Sequence, residues 1–247
     1  MNKIDELRHA VAPALVERGR DDSVLMIAFT GFVHRLSLRI YEFFEATKAL
    51  GYSRILLRDK YRVWYHHGID RERRDIPRLV RYLEREISRL NPRTVICLGT
   101  SAGGYAALLA GHLLRADYVH AFAPDTFLDV ALRTCLSKLW RSRYPWARCR
   151  LRFSRRARPE FFDLAEVLKN HNRKTTYFVH YCEGCERDVA EANRVANLPG
   201  VQMMPYPCDT HQVAIFLAKR GFLAKILNAA HQTELAFLAR AHFRRDE

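Results

Sequence analysis

The sequence predicts an α/β protein with one sheet of about six mostly parallel strands and helices on both faces. Short continuous apolar segments recur along the chain, and such segments are typical of strands that are buried on both faces of a sheet. Segments with apolar residues at helical spacing separate them. Strand and helix alternate at least five times, a pattern that favours a parallel sheet built from crossover connections.

Six segments are predicted as strands from their apolar character and the turn residues that bound them. They are VLMIAF at 24–29, ILLRD at 55–59, TVICLG at 94–99, DYVHAF at 117–122, TTYFVHY at 175–181 and VQMMPY at 201–206. Helices are predicted at 36–50, 76–90, 105–114, 161–170, 187–197 and 212–232, and another within residues 1–20. Gly51 ends the first of these helices and Asn91–Pro92 ends the second, because both are helix stop signals.

The 247 residues, of which 49% are hydrophobic, provide the core of one large domain, residues 1–247. The basic segment at 126–160 is predicted to form a lid or cap inserted within it. No apolar segment reaches the roughly 18 residues that span a bilayer, and the N-terminal segment lacks the apolar stretch of a secretory signal. We therefore expect a soluble cytoplasmic protein whose six cysteines stay reduced.

The formal charge of +14 is concentrated in one segment of the chain. Between Arg133 and Arg158 there are ten arginines or lysines and no acidic residue. Such a patch predicts an anionic partner or substrate, for example a phosphate, a carboxylate-bearing glycan or a lipid head group. A solvated charged face is the alternative interpretation. Nucleic acid is not expected as a partner, because no nucleic-acid-binding fold accompanies the Trp and Tyr among these arginines.

GTSAGG at 99–104 is the most specific motif in the chain and fits the pattern G-x-S-x-G. It follows a predicted strand and begins a predicted helix, so Ser101 would stand on a sharp strand-to-helix turn. Gly99 and Gly103 would let the strand and the helix approach each other. A glycine-rich turn that holds a phosphate at the helix N-terminus is the alternative.

A nucleophilic serine needs a base, and the base needs a carboxylate that orients it. After this motif the partners follow in the order Ser, Asp or Glu, His. His211 follows the last predicted strand, and Asp188 lies in the loop after the strand before it. The carboxyl ends of parallel strands meet at one edge of the sheet, where Ser101 also stands. Asp188 is the predicted acid because it lies furthest into its loop, and Glu186 and Asp125 are the alternatives.

With these residues in place, positions 23–228 resemble the α/β-hydrolase superfamily. LMIAFTGF, RDKYRVWYHHGID, GTSAGGYAALLAG and ADYVHAFAPDTFLD are similar to segments of a bacterial subgroup of small serine hydrolases that is often linked with surface-polysaccharide loci. The resemblance implies a reduced α/β-hydrolase fold without the first two antiparallel strands of the superfamily. Where the subgroup has a Phe-Ser-Pro-Gln-like turn, this chain has Ala123 and Asp125, so that turn supports no inference about the substrate.

The resemblance also implies the mechanism. Ser101 attacks an ester-like carbonyl, His211 moves the proton, and Asp188 orients the imidazole. The backbone N–H groups of Ala102 and Phe32 hold the oxyanion, with Gly31 as the neighbouring alternative to Phe32. No cofactor is implied.

The cysteines offer a competing role for His211. Cys182 and Cys185 form C-x-x-C, and Cys208 and His211 form C-x-x-H, so four residues with the spacing of a zinc site are present. In the hydrolase fold the same loops are neighbours without any metal, so we predict no metal site and assign His211 as the base. A redox pair of Cys182 and Cys185 is disfavoured because no helix begins at the first cysteine. Pairing of Cys182 with Cys208 under oxidation stays open.

Two groups of residues are predicted to bind the substrate. The loop after the second strand leaves the same edge of the sheet as Ser101, and its candidates are Trp64, Tyr65 and His66. Aromatic packing under this loop is the alternative. Lid arginines are predicted to bind an anionic group of the substrate, and they are Arg141, Arg143 and Arg152.

The expected function is a serine esterase or thioesterase that acts on an anionic acylated substrate, such as an acylated glycan or an acyl carrier. An acyltransferase would use the same chemistry. The alternative is a catalytically silent relative that binds an anionic polymer or surface through the basic lid. The complete set of serine, acid and histidine favours the enzyme.

Overall fold

The computed structural model describes residues 12–32, 42–128, 145–170, 174–228, 230, 232 and 235. Within these residues one sheet of seven strands forms the centre of the molecule. The strands are β1 (Ala14–Glu17), β2 (Asp21–Phe29), β3 (Tyr52–Leu57), β4 (Thr94–Thr100), β5 (Tyr118–Phe122), β6 (Thr176–Cys182) and β7 (Val201–Tyr206). Their order across the sheet is β1-β3-β2-β4-β5-β6-β7.

All neighbouring strands are parallel except β1, which runs antiparallel to β3 at the edge of the sheet. The predicted N-terminal helix is therefore wrong over Ala14–Glu17, and its first eleven residues lie outside the described part of the chain. The side chain of Arg54 on β3 explains part of this pairing, because its Nε donates to Glu17 Oε2 at 2.8 Å. A strand of four residues carries too little pattern to be recognised in the sequence.

The described helices cover both faces of the sheet. They are Phe44–Leu50, Ile76–Leu90, Ala102–Leu114, Pro145–Arg152, Leu164–Lys169, Glu186–Asn193, Val213–Lys219 and Leu223–Leu227. The helix predicted at 212–232 is broken at Gly221, whose φ of 72° ends the Val213–Lys219 segment. Within the residues that the structure describes, none of the helices is both long and apolar enough to cross a membrane.

The central strands are buried on both faces, as their continuous apolar sequences predict. Along β2, Leu25 and Ile27 belong to one apolar cluster, whereas Met26 and Ala28 belong to a second cluster. Because successive side chains of a strand point to opposite faces, each cluster is the core between the sheet and one layer of helices.

A chain of buried polar side chains crosses the strands β5, β6 and β7. His120 lies 3.0 Å from His180 (Nδ1 to Nε2), and His180 Nδ1 lies 2.9 Å from the Tyr206 hydroxyl. At the other end, His120 Nε2 lies 2.6 Å from Gln232 Oε1. Burial lowers the pKa of both histidines, for His120 to about 4, so both rings are neutral. These contacts join a residue near the C-terminus to the sheet.

The predicted lid is attached to the domain at both ends. The N–H of Leu128 donates to the carbonyl of Phe162 at 2.8 Å, which brings the two ends of the insertion together. The helix Pro145–Arg152 packs onto the domain, because Ala147 and Leu151 are buried in its core. The segment between these two parts lies outside the described residues.

Candidate active site

Ser101 stands on a strained turn between β4 and the helix Ala102–Leu114. Its backbone has φ 55° and ψ −117°, a conformation that residues other than glycine rarely adopt. A Cβ at Gly99 would collide with the carbonyl of Gly103, and one at Gly103 would collide with the carbonyl of Phe29. Both glycines are therefore required for the close approach of strand and helix, as the motif predicts.

His211 lies between Ser101 and Asp188. The Ser101 hydroxyl is 2.9 Å from His211 Nε2, and His211 Nδ1 is 2.5 Å from Asp188 Oδ1. Asp188 is 2% exposed and lies in the first turn of the helix Glu186–Asn193. A carboxylate at Nδ1 holds the proton of a neutral imidazole there and leaves Nε2 as an acceptor for the serine proton. The structure thus brings together the three residues that the sequence predicted.

The two alternative acids do not reach His211. Asp125 is buried, but its carboxylate accepts a hydrogen bond from Trp64 Nε1 at 2.8 Å and pairs with Arg187. Although burial alone would raise its pKa, Arg187 and the Trp64 hydrogen bond hold the pKa of Asp125 below its usual value. Glu186 is exposed at the start of its helix. Asp188 is therefore the acid at Nδ1 of His211.

The loop after β2 carries the second predicted oxyanion donor. The N–H of Gly31 donates to Glu42 Oε2 at 2.9 Å, so this group already has an acceptor, which favours Phe32 over Gly31 as the donor. Ala102 is the first residue of its helix, where N–H groups have no acceptor within the helix. The Phe32 ring packs on Trp64, with centroids 4.8 Å apart. The oxyanion roles of Phe32 and Ala102 stay predictions.

Glu42 is a buried acid beside this loop. It is 3% exposed, and burial raises its pKa from 4.5 to about 8, although the Gly31 hydrogen bond opposes the shift. Between these two values the unfolded chain is ionised while the folded protein keeps the proton. The folded state therefore binds more protons, and stability falls as the pH rises through this window.

We expect the substitution Glu42→Gln to remove this pH dependence. Glutamine can accept the Gly31 hydrogen bond without a charge, so the variant should gain thermal stability relative to the wild type as the pH rises from 5 to 8. A pKa shift of this size corresponds to several kcal/mol of stability at pH 8. Because one kcal/mol shifts Tm by about 2–4 °C in a chain of this size, we expect the Tm of the variant to exceed that of the wild type by at least about 4 °C at pH 8. Thermal unfolding at each pH measures it. Glu45→Gln, an exposed residue three positions on, is the control, and a parallel Tm profile for Glu42→Gln and wild type would contradict the expectation.

The aromatic residues predicted to line the pocket lie in the core. Trp64, Tyr65 and His66 are exposed by 2%, 1% and 0%. The Tyr65 hydroxyl donates to the carbonyl of Thr30 at 3.2 Å, and His66 Nε2 lies 2.9 Å from the Tyr105 hydroxyl. Because their polar groups are used by protein partners, the prediction of an open pocket lining is corrected to the alternative, aromatic packing under the loop.

The lid arginines are only partly described. Arg141 and Arg143 lie outside the described residues. Arg152 is exposed at the end of the helix Pro145–Arg152, with its guanidinium 5.9 Å from the Phe153 ring. The same helix places Trp146 against Phe32, with ring centroids 6.4 Å apart. The predicted lid therefore contacts the loop after β2, and substrate binding by its arginines stays a prediction.

Two of the cysteines are paired, which is the possibility that the sequence analysis left open. Cys182 and Cys208 form a disulfide, so the expectation that all thiols stay reduced is wrong for this pair. Cys185 is free, and His211 is engaged with Ser101 and Asp188, so the four side chains of the zinc interpretation do not converge. Across the described ranges, no group of three or more His, Cys, Asp or Glu side chains could hold a metal ion.

Two residues at the site escaped the sequence analysis. Glu42 lies within a predicted helix, and Arg187 directly precedes Asp188. Neither position carries a motif, because their roles depend on the loop and on the buried carboxylate that they meet in the folded protein. The unusual Asp125 was the one available signal for Arg187, since a buried carboxylate needs a cationic partner.

Comparison with known proteins shows the fold. No protein-family model and no curated protein matches the sequence. The capsule O-acetyltransferase of Neisseria meningitidis serogroup A is 18% identical, with a TM-score of 0.59 over 86% of this chain and 89% of that chain; a mutant of it has been solved in complex with CoA. FphF, a fluorophosphonate-binding serine hydrolase of Staphylococcus aureus, is 11% identical, with a TM-score of 0.54 over 85% and 90% of the two chains. MGS-MChE2, an α/β-hydrolase enzyme from a sediment metagenome, is 15% identical, with a TM-score of 0.51 over 86% and 94%. The α/β-hydrolase fold that the resemblance implies is confirmed.

Proposed function

We propose that the chain is a serine hydrolase of the esterase or thioesterase type that forms an acyl-enzyme on Ser101. The proposal rests on one observation, the series of hydrogen bonds from Ser101 through His211 to Asp188. These three groups follow the carboxyl ends of three different strands, β4, β6 and β7, at one edge of the sheet. A silent binding protein, the alternative function, would have no need to keep all three in hydrogen-bonding contact.

The reaction follows from the positions of these atoms. Ser101 Oγ attacks the carbonyl carbon while its proton moves to His211 Nε2, and Asp188 stabilises the resulting imidazolium. The negative oxygen is held by the N–H groups of Ala102 and Phe32. As the tetrahedral intermediate collapses, the bond to the leaving oxygen or sulfur breaks and His211 returns the proton to it. Loss of one oxyanion donor would cost about 3 kcal/mol of transition-state stabilisation.

The second half-reaction distinguishes a hydrolase from an acyltransferase. If water attacks the acyl-enzyme, His211 removes its proton and a free acid is released. If a hydroxyl group of an acceptor attacks at the same point, the acyl group is transferred to form a new ester. Transfer is the second candidate function, and the structural likeness to a capsule O-acetyltransferase favours it.

An anionic substrate is the finer part of the proposal. The chain has a formal charge of +14, and its lid contains the most basic segment. Part of this lid packs beside Phe32 through Trp146. An acylated anionic glycan or an acyl carrier would be attracted to such a surface, and the attraction would weaken as salt is added.

Labelling with a fluorophosphonate probe tests the proposed nucleophile. The probe forms a covalent bond with a serine only when a base activates it. We expect the wild type to be labelled and both Ser101→Ala and His211→Ala to remain unlabelled. Ser23→Ala is the matched control, because Ser23 lies at the start of β2 and takes no part in the site. Circular dichroism of each variant checks that it has folded.

The same experiment separates the competing functions. Absence of labelling in a folded wild type would overturn the acyl-enzyme and favour the silent binding protein. A strong zinc chelator should leave labelling unchanged, since His211 is assigned to the serine and not to a metal. Once labelling is established, product analysis with an acyl thioester in the presence and absence of a sugar acceptor distinguishes hydrolysis from transfer.

A further inference from the structure

A cavity beside the helix Ile76–Leu90 collects four arginines at a place that the proposed reaction does not use. It encloses about 320 Å³, which is within the range of small-molecule pockets. Its lining consists of Glu72, Arg73, Arg78, Arg81, Tyr82 and Arg85. Four positive side chains therefore meet one negative side chain in one concave surface.

Two of the arginines are held in place by neighbouring acids. Arg73 Nε donates to Asp70 Oδ2 at 2.8 Å, and its guanidinium lies 4.5 Å from the Tyr82 ring centroid. Arg78 donates to Asp75 Oδ2 at 2.5 Å, and Asp75 also caps the helix by accepting from the Arg78 N–H. Because these guanidinium groups are already fixed, a ligand that binds them costs little side-chain entropy.

The other two arginines leave positive charge unbalanced. Arg81 and Arg85 lie one helical turn apart with exposed side chains, and like charges at this spacing repel each other. Neither has an ion pair or a side-chain hydrogen bond to another residue in the part of the chain that the structure describes. Asp70 and Asp75 offset Arg73 and Arg78, and Glu72 is the one acid in the lining that remains against Arg81 and Arg85, so one positive charge stays unbalanced. An anion in the cavity would relieve their repulsion.

We propose that this cavity binds a small phosphate monoester. A phosphate dianion has three terminal oxygens and accepts hydrogen bonds from several guanidinium groups that approach from different directions, whereas one arginine fork satisfies a carboxylate. The volume leaves room for an organic group attached to the phosphate. The helix begins after the loop that leaves the carboxyl end of β3, so the cavity lies toward the same edge of the sheet as Ser101.

Isothermal titration calorimetry with glucose 1-phosphate tests this site. We expect one molecule to bind per wild-type chain and the Kd to rise by about tenfold or more in the double variant Arg81→Gln/Arg85→Gln, since charge-assisted hydrogen bonds are lost. Arg89→Gln is the matched control, because Arg89 lies on the same helix, is exposed and pairs with Glu86. Ser101→Ala should bind with wild-type affinity, so the outcome does not depend on the acyl-enzyme.

The choice of ligands decides between the remaining possibilities. Glucose should not bind, and glucuronate should bind more weakly than glucose 1-phosphate. Tighter binding of glucose 1-phosphate than of a polyphosphate chain would support a small monoester, whereas tighter binding of the polyphosphate would overturn it in favour of a polymer. Equal Kd values for wild type and the double variant, undetectable binding of both phosphates, or equal binding of glucuronate would overturn the proposal.

Discussion

The substitution Asp188→Asn is expected to lower kcat/KM about 10⁴-fold while the protein keeps its fold. Asp188 accepts the hydrogen bond from His211 Nδ1 at 2.5 Å, which fixes the neutral tautomer with a free lone pair at Nε2. An asparagine amide can donate to Nδ1 instead, and the proton then resides on Nε2, where it prevents transfer from Ser101. The variant also lacks the negative charge that stabilises the imidazolium.

The rate of fluorophosphonate labelling measures this effect before a substrate is known. Glu186→Gln is the control, because Glu186 lies two positions earlier in the same helix with an exposed side chain. Its labelling rate should equal that of the wild type. If Asp188→Asn were labelled within tenfold of the wild-type rate, another group would have to orient His211.

The second large effect is expected from the disulfide. In the double variant Cys182→Ser/Cys208→Ser the free energy of unfolding should fall by about 3–4 kcal/mol, the chain-entropy value for cross-linking two cysteines at the observed separation of 26 residues. For a chain of this size Tm should fall by roughly 10 °C. The bond joins the end of β6 to the loop after β7, and these are the two segments that lead to Asp188 and His211.

Thermal unfolding with and without a reductant provides the test. Reductant should lower the Tm of the wild type to that of the double variant and leave the double variant unchanged. Cys185→Ser is the control, since Cys185 is free, and its response to reductant should match the wild type. The double variant should keep most of its activity at temperatures where it is folded. The N–H of Gly184 donates to the carbonyl of Cys208 at 2.9 Å and still holds the two loops together. A wild-type Tm that ignores the reductant would contradict the assignment.

Six of the seven strands could be predicted because each is a continuous apolar segment of the central sheet. The edge strand Ala14–Glu17 could not, since it is short and half-buried and depends on partners such as Arg54 on β3. The division of the last predicted helix at Gly221 was also missed, because apolar residues at helical spacing continue across the glycine. Elements with strong local patterns could be predicted, whereas features that depend on tertiary contacts were missed.

At the candidate site, too, residues marked by a sequence pattern could be predicted, and residues whose role depends on tertiary contacts could not. Ser101, Asp188 and His211 could be predicted because a motif and the order of the strands place them at one edge. The WYHHG segment could not be assigned, since a sequence does not reveal whether aromatic side chains face a pocket or the core. The spacing of the cysteines was equally ambiguous, because zinc binding, packing and a Cys182–Cys208 bond are all compatible with it.

The buried hydrogen bonds from Gln232 to Tyr206 run in one direction. The Gln232 amide nitrogen donates to two backbone carbonyls, so its oxygen must accept from His120. A neutral imidazole has one proton, hence His120 accepts at Nδ1 from His180, which in turn accepts from the Tyr206 hydroxyl. The orientation of a single amide near the C-terminus thus dictates the tautomers of two rings and the direction of a hydroxyl hydrogen on β7. An inverted amide would place its oxygen against the carbonyls of Ile226 and Asn228, acceptor against acceptor, so this interior has one self-consistent arrangement of its protons.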